Sequence, residues 1–151
     1  RFNVPVVKAR EALDAGRFGQ LVLGTVRVRW GREQKYYDQD GWRGTWVMDG
    51  GVVANQASHH VDMLQWFMGP VESVHARSLR ALVNIEAEDT AVATVRFRSG
   101  AVGVIEATGA TRPKDLEGSL SGLGGLPSMK FAIGVSWTAA KKTHRCSRAT
   151  L

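Results

Sequence analysis

The stretch GGVVANQASHHVDMLQWFMG, residues 50–69, sets two histidines, an asparagine and an aspartate among mostly apolar residues. Read as a helix over 50–68, it advances 100° per residue, and Asn55, His59, Asp62 and Trp66 then fall within about 60° of one another. Val61, Met63, Leu64, Phe67 and Met68 take most of the remaining surface. The spacing predicts one narrow polar and aromatic stripe on a broad greasy helix. His60 points about 100° away from His59, so the doublet does not act on a single atom. Asn55 and His59, four residues apart, are expected to reach the same ligand. An imidazole is the side chain best suited to exchange a proton near neutral pH, and Asp62 could hold the ring or bond backbone. Spacing alone leaves two readings of His59: a proton carrier, or a core histidine satisfied by Asp62 or a carbonyl.

Other chemistries find less support. Either histidine with Asp62 supplies two metal ligands and no third at a recognisable spacing, where a zinc site needs three or four, so no metal is expected. Ser58 has no nucleophile-elbow pattern around it. Residues 31–46, GREQKYYDQDGWRGTW, show neither helical nor strand period and predict a long loop rich in Tyr36, Tyr37, Trp42, Arg43 and Trp46. Such a loop is either pinned down by its own aromatics or laid over a ligand, since aromatic faces and arginine forks suit sugars and anionic groups.

The elements that must position these groups are legible as periodicities. Pro5 followed by Val6, Ala9 and Leu13 at helical spacing, with Gly16 as a stop, predicts a helix over 5–15. LVLGTVRVRW, residues 21–30, alternates Val26, Val28 and Trp30 against Thr25, Arg27 and Arg29, the pattern of a strand with one wet face. A further strand signal follows Gly69-Pro70. Residues 90–108 alternate around Ser99-Gly100 and read as a hairpin, and another strand is expected around EGSLSGLG, 117–124. Helix, strand, long loop, helix and a run of strands give an α+β class, with helices packed on one face of a mainly antiparallel open sheet.

Composition narrows the function classes. The chain has 151 residues, 44% hydrophobic and 23% charged, the range of one globular domain. No apolar run of roughly 18 residues is present, so no membrane is expected. The single cysteine, Cys146, allows no internal disulfide and fits a cytoplasmic location. The net charge of +6 is a property of the tail: five basic and no acidic residues lie in 130–151, leaving 15 basic against 14 acidic in 1–129. A nucleic-acid partner is therefore not expected.

The quoted helix resembles the substrate-domain helix of the glucose-fructose oxidoreductase and inositol dehydrogenase (Gfo/Idh/MocA) family, whose pattern is Gly-Gly, an apolar run, Asp-x-Gly-x-His-x-x-Asp, and an apolar stretch ending in Gly. Gly50, Gly51, His59, Asp62 and Gly69 match it, while Asn55 stands in place of the usual Asp and Ala57 in place of a frequent Gly. RFNVPVVKAREALDAGRFGQLVLGTVRVRW is similar to the family's passage into its second domain. YYDQDGWRGTW, Asn55 and EATGATRPKDLEGSLS together look like the branch that oxidises nucleotide-linked amino-sugar acids, the UDP-N-acetyl-glucosaminuronate 3-dehydrogenases.

The resemblance implies that residues 1–121 are the substrate-binding and catalytic domain of a two-domain oxidoreductase that binds NAD or NADP chiefly through an N-terminal Rossmann domain. No G-x-G-x-x-G turn is found here, so the fragment by itself is expected to be inactive. The resemblance makes His59 the acid or base on a sugar hydroxyl, and Asn55, which cannot titrate, a substrate-orienting group. It also raises Tyr37, Arg43 and Trp46 as substrate contacts, with Arg112 and Lys114 as anion contacts, and implies a homodimer or homotetramer through the open sheet. Residues 122–151 depart from the family pattern, as a truncation or frame change would produce. The alternative function is a non-catalytic, sheet-based binding or oligomerisation module.

Overall fold

The computed structural model describes residues 1–111, 115–122 and 129–131. Arg112, Lys114 and nearly all of the basic tail thus lie outside the described residues. Helix α1 spans Val4–Asp14, with Pro5 in the first turn, where its missing N–H costs no helical bond. Strand β1, Leu21–Arg29, buries Val26 and Val28 and turns Thr25, Arg27 and Arg29 the other way. The short helix α2, Gln34–Tyr37, and helix α3, Ser58–Met68, precede strands β2, Val71–Leu79, β3, Thr90–Phe97, β4, Val102–Thr108, β5, Asp115–Gly122, and β6, Met129–Phe131.

The strands form one open sheet in the order β2-β3-β4-β1-β5-β6. All neighbours are antiparallel except β1 and β4, which run parallel with Val26 opposite Ile105. The β3–β4 hairpin turns at Gly100, whose φ of 87° lies in the left-handed region that a side chain disfavours. Val6 and Ala9 of α1 share one buried cluster with Met63, Leu64, Phe67 and Met68 of α3 and the inward residues of β1, β3 and β4. The expected α+β class, helices on one face of a mainly antiparallel sheet, is thus the observed one.

Helix α3 lies directly on β1. A Cβ placed on Gly24 would stand 2.7 Å from Leu64 Cδ1 and 2.8 Å from Met68 Sδ, so the glycine is what lets the helix approach. Burying four large side chains at roughly 1.5–3 kcal/mol each anchors a helix of only 11 residues that would be marginal alone.

Two sequence expectations are corrected. The helix expected over 50–68 begins only at Ser58, and residues 50–57 are a run of turns. Gly50 takes φ 67°, and the N–H of Ala57 reaches the carbonyl of Val52, five residues back, instead of continuing a helical ladder. The N–H of Val52 goes to the carbonyl of Glu88 at 2.9 Å, a tertiary bond that holds the segment in this form. Asn55 is therefore not on the helix that carries His59, and the expected four-membered helical stripe is reduced to His59, Asp62 and Trp66. The loop expected over 31–46 contains the one-turn helix α2, closed by Asp38 N–H on the Gln34 carbonyl at 3.0 Å.

The opposite sheet face is open. Arg27 and Arg29 converge on Glu106 at 3.3 and 2.6 Å, and Arg96 pairs with Glu72 at 2.9 Å. Partial burial works against the Glu106 carboxylate, but the Arg29 and Arg27 guanidiniums outweigh it and hold its pKa below the ordinary range. Val92, Val102 and Val104 stand exposed among these charges, because the register sets Val92 beside Glu106 and Val102 beside Arg96. No helix among the described residues is long and apolar enough to cross a membrane.

Candidate functional site

Three segments meet beyond the C-terminal end of β1: the loop 31–50, the turns 51–57 leading into α3, and the loop 80–89 between β2 and β3. Their contacts follow from unpaired backbone groups that each must satisfy. Gly44 accepts a hydrogen bond from Ala87 N–H at 2.8 Å, and Trp46 N–H donates to Glu86 Oε2 at 3.1 Å. Gly44 itself has φ 72°, and a Cβ there would lie 2.7 Å from Ile85. The glycine in GWRGTW is thus required twice over, for its backbone and for the space.

The loop 80–89 is held from within by Asp89, which is 1% exposed. Its carboxylate accepts from the N–H groups of Ala81 and Leu82, both at 2.7 Å, of Val83 at 3.0 Å, and from Thr90 Oγ1 at 3.0 Å. Glu88 binds the neighbouring turns: its Oε1 accepts from Val53 N–H at 3.2 Å, and its carboxylate lies where any side chain at Gly51 would be. Sequence reading missed Asp49, Glu88 and Asp89. The one available signal was an acid beside a strand start or glycine pair, positions where carboxylates often take backbone donors.

His59 sits in the first turn of α3 with its ring exposed, which removes the core reading of this residue. His60 is the buried member of the doublet, at 4% exposure, and burial first and then the neighbouring His59 push its pKa down. Neither His60 ring nitrogen finds a hydrogen-bond partner among the described residues. Asp62 does not hold His59: its two oxygens receive Nε of Arg1, at 2.9 Å, and Nη2 of the same guanidinium. That hydrogen bond keeps the Asp62 carboxyl below its ordinary pKa. Trp66 lies under Arg1 and Arg10, 5.6 and 5.3 Å from its ring centre, so the lower stripe ties the start of the chain to α3. A groove of about 370 Å³ is lined by Arg1, Asp62, Gln65, Trp66, Gly69 and Pro70 and contains no residue of the 31–50 loop.

In the 31–46 loop the guanidinium of Arg43 stacks 4.4 Å from the Tyr36 ring centre and 4.7 Å from that of Trp42, and its Nε binds Asp40 at 2.8 Å. Arg32 stacks on Tyr36 as well, at 4.3 Å. Tyr37 is placed differently from its neighbours: it is buried against Val83 and Ile85, and burial together with Asp49 pushes its phenol up to about 12. Trp46 is 57% exposed. The structure therefore brings Arg43 and Trp46 onto one docked loop, sets Tyr37 beneath it, and joins Asn55 to it through Asp49. Asp49 accepts from Gly44 N–H at 2.6 Å and from Asn55 Nδ2. No group of three or more His, Cys, Asp or Glu residues among the described residues is placed to hold a metal ion.

Residues 6–126 match the family model of the GFO/IDH/MocA C-terminal domain. The chain is 46% identical to the WlbA dehydrogenase from Bordetella pertussis, solved in complex with NADH and UDP-GlcNAcA, with a TM-score of 0.78 over 81% of this chain and 38% of that one. It is 48% identical to the WlbA dehydrogenase from Chromobacterium violaceum, solved with the same two ligands, with a TM-score of 0.75 over 83% of this chain and 36% of that one. A levoglucosan dehydrogenase at 22% identity and a TM-score of 0.74 shares the fold, over 85% of this chain and 37% of that one. The chain thus spans well under half the length of these structures. No curated protein matches it.

Proposed function

We propose, from the premise that the chain belongs to the GFO/IDH/MocA family and carries its C-terminal domain, that it is the substrate-binding part of an NAD(P)-dependent dehydrogenase acting on a sugar hydroxyl. The substrate we infer is a nucleotide-linked amino-sugar uronic acid, supported by 46% and 48% identity to two proteins solved with UDP-GlcNAcA. The observation that carries the reading is an exposed His59 at the head of α3, directly after the turns that carry Asn55, which Asp49 joins to the loop of Arg43 and Trp46.

In this reading His59 takes the proton of the hydroxyl being oxidised, or returns it in the reverse direction. Asn55 orients the sugar, and the flat faces of Trp46 and Trp42 with the Arg43 fork suit a sugar ring and its anionic groups. The residues present do not form a dinucleotide cradle: among the described residues no glycine-rich turn links a strand to a helix N-terminus. In this reading NAD(P) is held by the rest of the full-length protein, as the NADH complexes of the two similar dehydrogenases support, and the part played by this chain is to bind, orient and deprotonate. The test is NADH formation by the full-length protein supplied with NAD⁺ and UDP-N-acetylglucosaminuronic acid. A protein that binds the cofactor but reduces none of it with this sugar nucleotide rejects the substrate assignment.

A homo-oligomer formed through the open sheet is supported by the exposed Val92, Val102 and Val104 between the Arg27, Arg29 and Glu106 cluster and the Arg96–Glu72 pair. Val104→Glu is expected to lower the mass measured by light scattering to that of a smaller species, with helix and strand content unchanged. An unchanged mass would place the contact elsewhere.

A further inference from the structure

We propose that Asp49 is a positioning residue that turns the Asn55 amide so that its carbonyl oxygen, and not its NH₂, meets the substrate. The proposal rests on the substrate-site reading above and extends it to a residue whose role is set by hydrogen-bond polarity. A carboxylate only accepts. Asp49 Oδ2 is taken by Gly44 N–H at 2.6 Å, which leaves Oδ1 to receive Asn55 Nδ2. With its nitrogen end engaged, Asn55 must direct Oδ1 the other way, and no described residue donates to that oxygen. The backbone of Asn55 is pinned as well, through its N–H on the Gly51 carbonyl at 3.0 Å.

The half-buried Asn55 therefore offers an acceptor, four residues before His59. Its complement on a ligand is a donor, which on an amino sugar is a hydroxyl or an acetamido N–H. The same geometry accounts for an amide at this position. An aspartate at 55 would set two carboxylates in contact, and like charges so close cannot both stay ionised. Asp49 also joins Gly44 of the aromatic loop to the turn before α3, so the two sides of the site share one anchor.

The test reverses the polarity of the pair in the full-length protein. In Asp49→Asn, the new Oδ1 still serves Gly44 N–H, its NH₂ faces residue 55, and Asn55 turns over to show its own NH₂ outward. Both internal hydrogen bonds survive, so the unfolding midpoint and NAD(P) affinity are expected to hold. kcat/KM for UDP-N-acetylglucosaminuronic acid is expected to fall on the order of 10- to 100-fold, the cost of facing a donor with a donor. Asp49→Asn combined with Asn55→Asp returns an outward oxygen and is expected to recover most of that loss. A merely structural Asp49 would not be rescued by a change at 55. The proposal is overturned if Asp49→Asn keeps the parent kcat/KM, or if the double variant is no better than Asp49→Asn.

A readout independent of turnover separates this from failure of the substrate reading. In protein carrying isotope-labelled asparagine, the Asn55 side-chain NH₂ signal is expected to show a carboxylate-bound proton that disappears in Asp49→Ala. If the parent turns over no UDP sugar, the substrate reading fails, and this signal still decides whether Asp49 orients the amide. Its persistence in Asp49→Ala overturns the proposal.

Discussion

His59→Ala in the full-length protein is expected to lower turnover of UDP-N-acetylglucosaminuronic acid by about 100-fold or more, the usual contribution of a positioned acid or base. The expectation follows from two placements. His59 is exposed at the head of α3, where its ring can meet a ligand, whereas His60 is buried in the core. Asp62 is occupied by Arg1 and so does not hold the His59 ring. Loss of an exposed imidazole should leave the unfolding midpoint and NAD(P) affinity nearly unchanged, so kcat carries the effect. His60→Ala provides the contrast, because it opens a cavity and is expected to destabilise the domain. Full turnover by His59→Ala would remove His59 from the chemistry and leave the proton to another group.

Asp89→Ala is expected to cost roughly 3–5 kcal/mol of stability, since it strands three backbone N–H donors around a buried site. The simple sum of three charge-assisted bonds would be larger, but the freed loop can take up water. Because the 80–89 loop carries Ala87 and Glu86, which hold Gly44 and Trp46, a raised KM is expected alongside the lower unfolding midpoint. The pH dependence has a definite sign. Burial raises the Asp89 pKa, but the N–H groups of Leu82, Ala81 and Val83 lower it further, and the net shift is downward. A depressed carboxyl contributes stability that is present above its unfolded pKa of about 3.9 and is lost as pH falls through the folded value. Asp89→Ala should therefore show a shallower loss of stability below about pH 4 than the parent. An acid-unfolding profile of unchanged slope would assign the acid sensitivity to other carboxylates, such as Glu106 between its two arginines.

Elements whose order is local were legible in advance. The alternation of Val26 and Val28 against Arg27 and Arg29, the turn at Ser99-Gly100, and the spacing of Val6, Ala9 and Leu13 each carry their own period, and the strands and helix stand where those periods put them. The resemblance in residues 50–69 likewise pointed to the family before any coordinates. The start of α3 was not legible, because apolar periodicity runs unbroken from Val52 while the backbone of Val52 is drawn off to Glu88, 36 positions away in the chain. Tyr37 read as a loop aromatic like Tyr36, yet only the arrival of Val83 and Ile85 makes it a core residue.

The sequence by itself determined the α+β class, the wet and dry faces of β1, the confinement of the excess charge to the tail, and the two histidines that point in different directions. All of these follow from side-chain periods of 2 and 3.6 residues, or from composition, and need no distant partner. Only the tertiary structure decided which histidine is covered, that Asn55 stands off the helix, and that Asp49, Glu88 and Asp89 hold three loops together. The reason is that loop backbone leaves N–H groups unpaired, and which carboxylate answers them depends on where the chain returns, a fact no local spacing contains.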